Sequence, residues 1–183
     1  MSMYCFQCQE AANNKGCTIQ GVCGKTDETA VLQDLLIYLL KGISIWGELA
    51  KKINVTDKEV DIFVAEGLFS TITNVNFDPD RIVALIDKAF SMREKIKAAF
   101  LKAYKTKNQK EFTDNLPEAA TWEPVKDKKN YLVKGAKIGI LSQNNEDIRS
   151  LHEILIYGLK GIAAYADHAY ILDQNNDEVL SFL

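Results

Sequence analysis

Leu36-Ile37-Tyr38-Leu39-Leu40-Lys41-Gly42-Ile43-Ser44-Ile45-Trp46-Gly47 aligns without gaps on Leu155-Ile156-Tyr157-Gly158-Leu159-Lys160-Gly161-Ile162-Ala163-Ala164-Tyr165-Ala166. Seven of the twelve positions are identical, and Trp46 falls on Tyr165. The chain is therefore internally repeated, with one helix returning 119 positions later. Around the first copy, Leu32, Leu35, Leu36, Leu39, Leu40, Ile43, Trp46 and Leu49 recur every three or four residues, the signature of a buried helical stripe. Val31, Ile37 and Ile45 widen it, so this helix needs neighbours on more than one side. Gly42 and Gly161 sit mid-helix, where glycine costs about 1 kcal/mol relative to alanine. Their shared position predicts close helix–helix approach.

Outward from the first copy, a helix is expected over 26–52, capped by Thr26, Asp27 and Glu28 and closed by Asn54. Thr56-Asp57-Lys58-Glu59 reads as a capping box that opens a second helix, continuing to about Asn74 with Val60, Phe63, Val64, Leu68 and Ile72 inward. The alternation of apolar and short polar residues from Phe69 to Asp78 reads as capping and turn chemistry, or as polar lining of a buried site. Asp78 and Pro79 open a third helix, to about Lys105. Three helices on short turns predict an antiparallel bundle over 26–106. Residues 107–143 read as a surface crossover, with a short helix over 128–134 that Gly135 caps and an apolar or extended piece over 138–141. Residues 144–183 start a second bundle: Asn145-Glu146-Asp147 opens a long helix to about Leu172, a turn follows at 173–176, and Asp177 begins a further helix. The second unit lacks a third helix, so the chain reads as part of a longer polypeptide. Met1 and Ser2 read as an addition before a native start at Met3. The expected fold class is all-α, two three-helix bundles with the second incomplete, preceded by an N-terminal cysteine loop.

That loop, residues 1–25, holds all four cysteines: Cys5, Cys8, Cys17 and Cys23, spaced C-x2-C-x8-C-x5-C. Cys5 and Cys8 fit one tight turn, and the longer gaps let the chain circle back with two more sulfurs. Gly16, Gly21 and Gly24 flank the second pair. No histidine lies in the loop, and thiolate-only sites favour zinc or an iron–sulfur cluster. Two disulfides are the third option, but they belong to oxidising compartments, and no signal peptide is visible after Met1. Zinc sites usually pair C-x2-C with C-x2-C, which the second pair does not do.

The 183 residues are 47% hydrophobic and 26% charged with a net charge of −3, enough apolar material for a sizeable core and no basic face for nucleic acid. No apolar run is expected to reach the roughly 20 residues of a membrane span. With no targeting segment, the expected compartment is the cytoplasm, where thiols stay reduced.

Cys5-Phe6-Gln7-Cys8-Gln9-Glu10, Gly16-Cys17-Thr18 and Gly21-Val22-Cys23-Gly24-Lys25 closely resemble the N-terminus of the hybrid cluster protein, or prismane, family. The resemblance continues through Leu32-Gln33-Asp34-Leu35-Leu36, Thr73-Asn74-Val75-Asn76-Phe77-Asp78 and Gly158-Leu159-Lys160-Gly161, essentially the whole chain. It implies a first domain of two crossed three-helix bundles. It also implies a [4Fe-4S] cluster ligated by Cys5, Cys8, Cys17 and Cys23, since members with this short spacing are associated with the cubane form. The implied activity is hydroxylamine reduction to ammonia at a hybrid [4Fe-2O-2S] cluster, whose ligands are later cysteines, a histidine and glutamates of downstream domains. This chain has no cysteine after Cys23, and His152 and His168 read as helix-surface or interhelix residues, so the hybrid cluster lies outside it and no catalytic residue is assigned within it. The expected role is electron entry from a ferredoxin, flavin or NADH-linked reductase. Phe6 would limit water access. Gln7 and Gln9 read as donors to the sulfurs or as plain loop residues, and Lys25 as a partner contact or the start of a helix. A zinc-stabilised helical binding module without redox role is the alternative.

Overall fold

A computed structural model describes residues 3–174 and 176–183. Met1 and Ser2, and Asn175 of the expected turn, lie outside the described residues. The described chain is all-α: α1 (Asp27–Lys51), α2 (Lys58–Ser70), α3 (Pro79–Asn108), α4 (Glu118–Thr121), α5 (Lys128–Ile138), α6 (Glu146–Ile171) and α7 (Asp177–Phe182), with 3-10 turns at Ala12–Asn14 and Ile140–Ser142.

Helix α1 is the axis. Leu32, Leu35, Leu36 and Leu39 are completely buried, and the helix packs against α2, α3, α4 and α5. By length and composition it does pass for a membrane span, contrary to the expectation, but most of its apolar window lies inside the core. Its start is capped as read: the Thr26 hydroxyl accepts from Thr29 N–H. After its end, Asn54 adopts the left-handed conformation that stops a helix (φ 62°).

The start of α2 differs from the capping-box reading. Asp57, not Thr56, is the cap, its carboxylate accepting from the N–H groups of Glu59 and Val60. A carboxylate there also meets the positive end of the helix dipole. The helix ends at Ser70, short of Asn74, where the Ser70 and Thr71 hydroxyls donate to the carbonyls of Gly67 and Leu68 at 2.8 Å each. Helix α3 starts as expected, with Asp78 accepting from Asp80 and Arg81 N–H, and runs three residues past Lys105.

Residues 107–143 do more than cross the surface. Ala119, Ala120 and Tyr131 are buried, and Trp46 Nε1 donates to the Ala120 carbonyl at 2.9 Å. Gly135 does not cap a helix but lies inside α5, which continues to Ile138. A Cβ at Gly135 would stand 2.5 Å from the Val31 carbonyl oxygen, so glycine lets α5 lie directly on α1. The expected piece over 138–141 is the end of α5 and a 3-10 turn.

Helix α6 opens on Asn145, which accepts from Ile148 N–H, and packs mainly against α2. Helix α7 opens on Asn176 and returns to α2. The opposite face of α6 is bare: Leu151, Ile154, Leu155 and Tyr165 are exposed. The two repeat glycines part ways here. A Cβ at Gly42 would collide with the Ala119 carbonyl, as close approach requires, whereas nothing stands within 4 Å of one at Gly161.

Candidate metal centre

The four cysteines share one loop that is held closed by backbone pairing. Cys5 N–H donates to the Cys17 carbonyl at 3.0 Å and Cys17 N–H to the Cys5 carbonyl at 2.8 Å, an isolated antiparallel bridge. Residues facing each other in such a pair project their side chains to the same side, with Cα atoms about 5.5 Å apart. The Ala11 N–H closes on the Cys8 carbonyl at 3.2 Å, turning the chain directly after the second cysteine. Tyr4 fixes the returning chain: its hydroxyl donates to the Lys15 carbonyl at 3.0 Å, and its ring covers Gly16. Gly16 has φ +150°, and a Cβ there would lie 2.7 Å from the ring, so only glycine fits. Cys23 rides a separate turn, closed by Gly21 N–H to the Lys25 carbonyl and Gly24 N–H to the Gly21 carbonyl, both 2.8 Å. Met3, Cys17 and Ala30 form a small apolar cluster that seats the loop on α1.

Cys17 is buried, Cys5 and Cys8 are half-buried, Cys23 is exposed, and all four are free thiols. Backbone pairing thus brings Cys5 and Cys17 together, with Cys8 three residues on and Cys23 on its own turn. Among the described residues no three His, Cys, Asp or Glu side chains converge as ligands on one point.

Helix α6 forms the inner wall. Phe6 packs edge-on against Tyr157 with ring centroids 5.9 Å apart. The Tyr157 hydroxyl is fully buried and has no hydrogen-bond partner. Burial pushes its phenol well above the usual range, and Cys5, Glu153 and Cys8 push it further. Three residues on, Lys160 is buried, and burial lowers its ammonium to about 8, with Lys25 acting in the same direction and Asp34, Glu153 and Cys5 opposing it.

Gln7 fits neither reading offered for it. In the amide orientation that satisfies both ends, its nitrogen donates to the Thr71 carbonyl at 3.1 Å and its oxygen accepts from Lys160 Nζ at 3.2 Å. It ties the cysteine loop to the end of α2 and to α6. Gln9 is exposed, a plain loop residue. Lys25 is neither a partner contact nor a helix start. It is 2% exposed, and its Nζ donates to Gln33 Oε1 at 2.7 Å, while Gln33 Nε2 donates to the Asn76 carbonyl at 3.0 Å. The stretch after α2 therefore combines turn chemistry with acceptors for a buried polar network. His152 is exposed on a cavity wall, and His168 packs edge-on against Phe69 at 5.0 Å.

A charged cavity of about 300 Å³ lies behind the loop, lined among others by Gln7, Asp34, Arg149, Glu153, Tyr157 and Lys160. Burial raises the Asp34 carboxyl to about 7, against the pull of Lys160, Lys25 and Lys41. Sequence reasoning missed Tyr157, Lys160 and Asp34 as site residues. The signal was present for two of them, since Tyr157 and Lys160 are invariant between the repeat copies, but only the docking of α6 beside the loop brings them to the cysteines.

The chemistry of the donor set, rather than its convergence, fits a group held by thiolates. The donor set is sulfur alone, which selects zinc or iron–sulfur centres. An orphaned buried hydroxyl beside Cys5 and Cys8 is a donor awaiting an acceptor, and such groups call for an explanation.

The chain is 57% identical over 183 residues to the hydroxylamine reductase of Halothermothrix orenii, covering 100% of this chain and 33% of that protein. It is 58% identical over 183 residues to the hydroxylamine reductase of Kosmotoga olearia, again 100% of this chain and 33% of the relative. To the hydroxylamine reductase of Nitratidesulfovibrio vulgaris it is 51% identical over 181 residues, 99% of this chain and 32% of the relative. The chain thus spans about a third of the length of these curated relatives. The pattern of one family runs from residue 3 to residue 183, through the cysteine loop and both copies of the repeat, and the chain belongs to that family, the Prismane/CO dehydrogenase family.

Proposed function

We propose that this chain is the N-terminal, electron-transfer part of a hydroxylamine reductase and that Cys5, Cys8, Cys17 and Cys23 hold a [4Fe-4S] cluster. The carrying observation is the loop itself: four free thiols, two of them on directly paired backbone, walled by α6. When bound, such a cluster supplies a one-electron donor and acceptor whose potential follows charge, hydrogen bonds to sulfur and solvent exposure. The chain's own residues serve that purpose in definable ways. Phe6 packs edge-on against Tyr157 and anchors the Cys5–Cys8 turn to α6. The Lys160 ammonium offsets thiolate charge from a buried position. The Gln7 clamp onto Thr71 and Lys160 holds the loop against the helices.

In this reading the hybrid [4Fe-2O-2S] cluster and the reduction of hydroxylamine to ammonia belong to further domains of the polypeptide, which the comparison with three-fold longer relatives supports. The electron donor is a ferredoxin, flavin or NADH-linked reductase, and the compartment is the cytoplasm, where the thiols stay reduced. The test is anaerobic reconstitution followed by titration with dithionite. A brown protein whose visible absorption bleaches on taking up one electron per chain supports the proposal. A colourless protein holding one zinc overturns it in favour of a helical binding module.

A further inference from the structure

The Tyr157 hydroxyl is the only buried side-chain polar atom among the described residues that has no hydrogen-bond partner. Leaving such a donor unpaired costs about 1–3 kcal/mol, so each one in a folded chain calls for an explanation. Its surroundings show what that is. The ring is held edge-on by Phe6, between Cys5 and Cys8 in sequence. Tyr157 and Cys8 line one cavity of about 590 Å³. The Cys5 and Cys8 sulfurs lie close enough to act electrostatically on the phenol. The other copy of the repeat supplies the contrast: Tyr38, at the matching position, has its hydroxyl satisfied by Glu118 at 3.0 Å. The Tyr157 hydroxyl has no such bond, and the charged groups that act on it are Cys5, Glu153 and Cys8, of which Cys5 acts most strongly.

We infer that Tyr157 is a positioning residue of the metal centre, its hydroxyl donating a hydrogen bond to sulfur on the Cys5–Cys8 side and thereby setting the centre's reduction potential. The inference rests on the proposed cluster. A hydrogen bond to sulfur stabilises the more negative, reduced state, so losing it disfavours reduction. In the metal-free chain the hydroxyl has no partner to lose. Removing it therefore leaves the metal-free protein at least as stable, which a purely structural tyrosine would not do.

The experiment compares the 183-residue chain with Tyr157→Phe and Tyr38→Phe, each reconstituted anaerobically with iron and sulfide, by potentiometric titration followed by EPR, and by thermal unfolding without metal. Tyr157→Phe is expected to lower the equilibrium constant for reduction about tenfold, 59 mV for a one-electron couple, with unfolding of the metal-free chain unchanged or raised. Tyr38→Phe is expected to leave the potential where it was. Should Tyr157→Phe not fold or not take up iron, replacement by 3-fluorotyrosine, which keeps the shape and makes the phenol a stronger donor, is expected to raise the potential. An unchanged potential in both Tyr157 variants overturns the inference and leaves the cluster reading standing. A wild-type chain that takes up no iron overturns both.

Discussion

Two copies of one stretch, 36–47 and 155–166, share seven of twelve residues and live in opposite surroundings. Trp46 is 4% exposed, its indole nitrogen donating to the Ala120 carbonyl, while Tyr165 is 82% exposed. Gly42 lies under α4, whereas Gly161 faces open space. The lysines reverse the pattern: Lys41 is exposed, and Lys160 is buried behind the cysteine loop. Local sequence made both stretches helical, because periodicity and capping act within a few residues. What each face does was decided by neighbours brought from elsewhere in the chain. The first copy became the core axis. The second placed its Tyr against Phe6 of the cysteine loop and its Lys among buried polar groups.

The contrast is open to direct attack. Trp46→Ala should destabilise by about 4 kcal/mol, as large aromatic truncations in a core do, and Tyr165→Ala by no more than about 0.5 kcal/mol. Urea unfolding followed by circular dichroism checks both, and equal losses would erase the asymmetry. Gly42→Ala should cost about 3 kcal/mol by overpacking against the Ala119 carbonyl, whereas Gly161→Ala should gain up to about 1 kcal/mol from helix propensity.

A smaller effect separates the lysines. Asp34 on α1 has its carboxyl raised to about 7 by burial, with Lys160, Lys25 and Lys41 pulling it down and Glu153 pushing it up. The folded state therefore binds more protons than the unfolded state between the ordinary carboxylate value of 3.8 and about 7. This contribution is fully present below that window and is lost as pH rises through it, at no more than about 1.4 kcal/mol per pH unit. Asp34→Asn should remove the slope. Lys160→Gln should extend it to higher pH, and Lys41→Gln should change it less, which unfolding measured from pH 4 to pH 8 will show. The smallest effects concern the helix starts. Thr26→Ala and Asn145→Ala should each cost about 1 kcal/mol, because each side chain satisfies one N–H of its own helix.

The starts of α1, α3, α6 and α7 were legible because their caps are local. The capping residue of α2 was misjudged by one position, since Thr56 and Asp57 are both good caps and only the backbone shows which one turns inward. Gly135 read as a helix end because glycine favours both C-caps and close approach, and the approach of Val31 is invisible in the sequence. For the site, cysteine spacing and glycine placement pointed to a metal loop. The roles of Gln7, Lys25, Tyr157 and Lys160 did not follow from spacing, because each depends on a contact between segments tens of residues apart.

The central claim, that the cysteine loop holds an iron–sulfur cluster, is tested most directly by counting iron and acid-labile sulfide in the anaerobically reconstituted chain and in its Cys5→Ala/Cys17→Ala variant. The account predicts iron and sulfide in the proportions of one [4Fe-4S] cluster per wild-type chain and none in the variant. Zinc in place of iron, or an iron content untouched by losing Cys5 and Cys17, would contradict it.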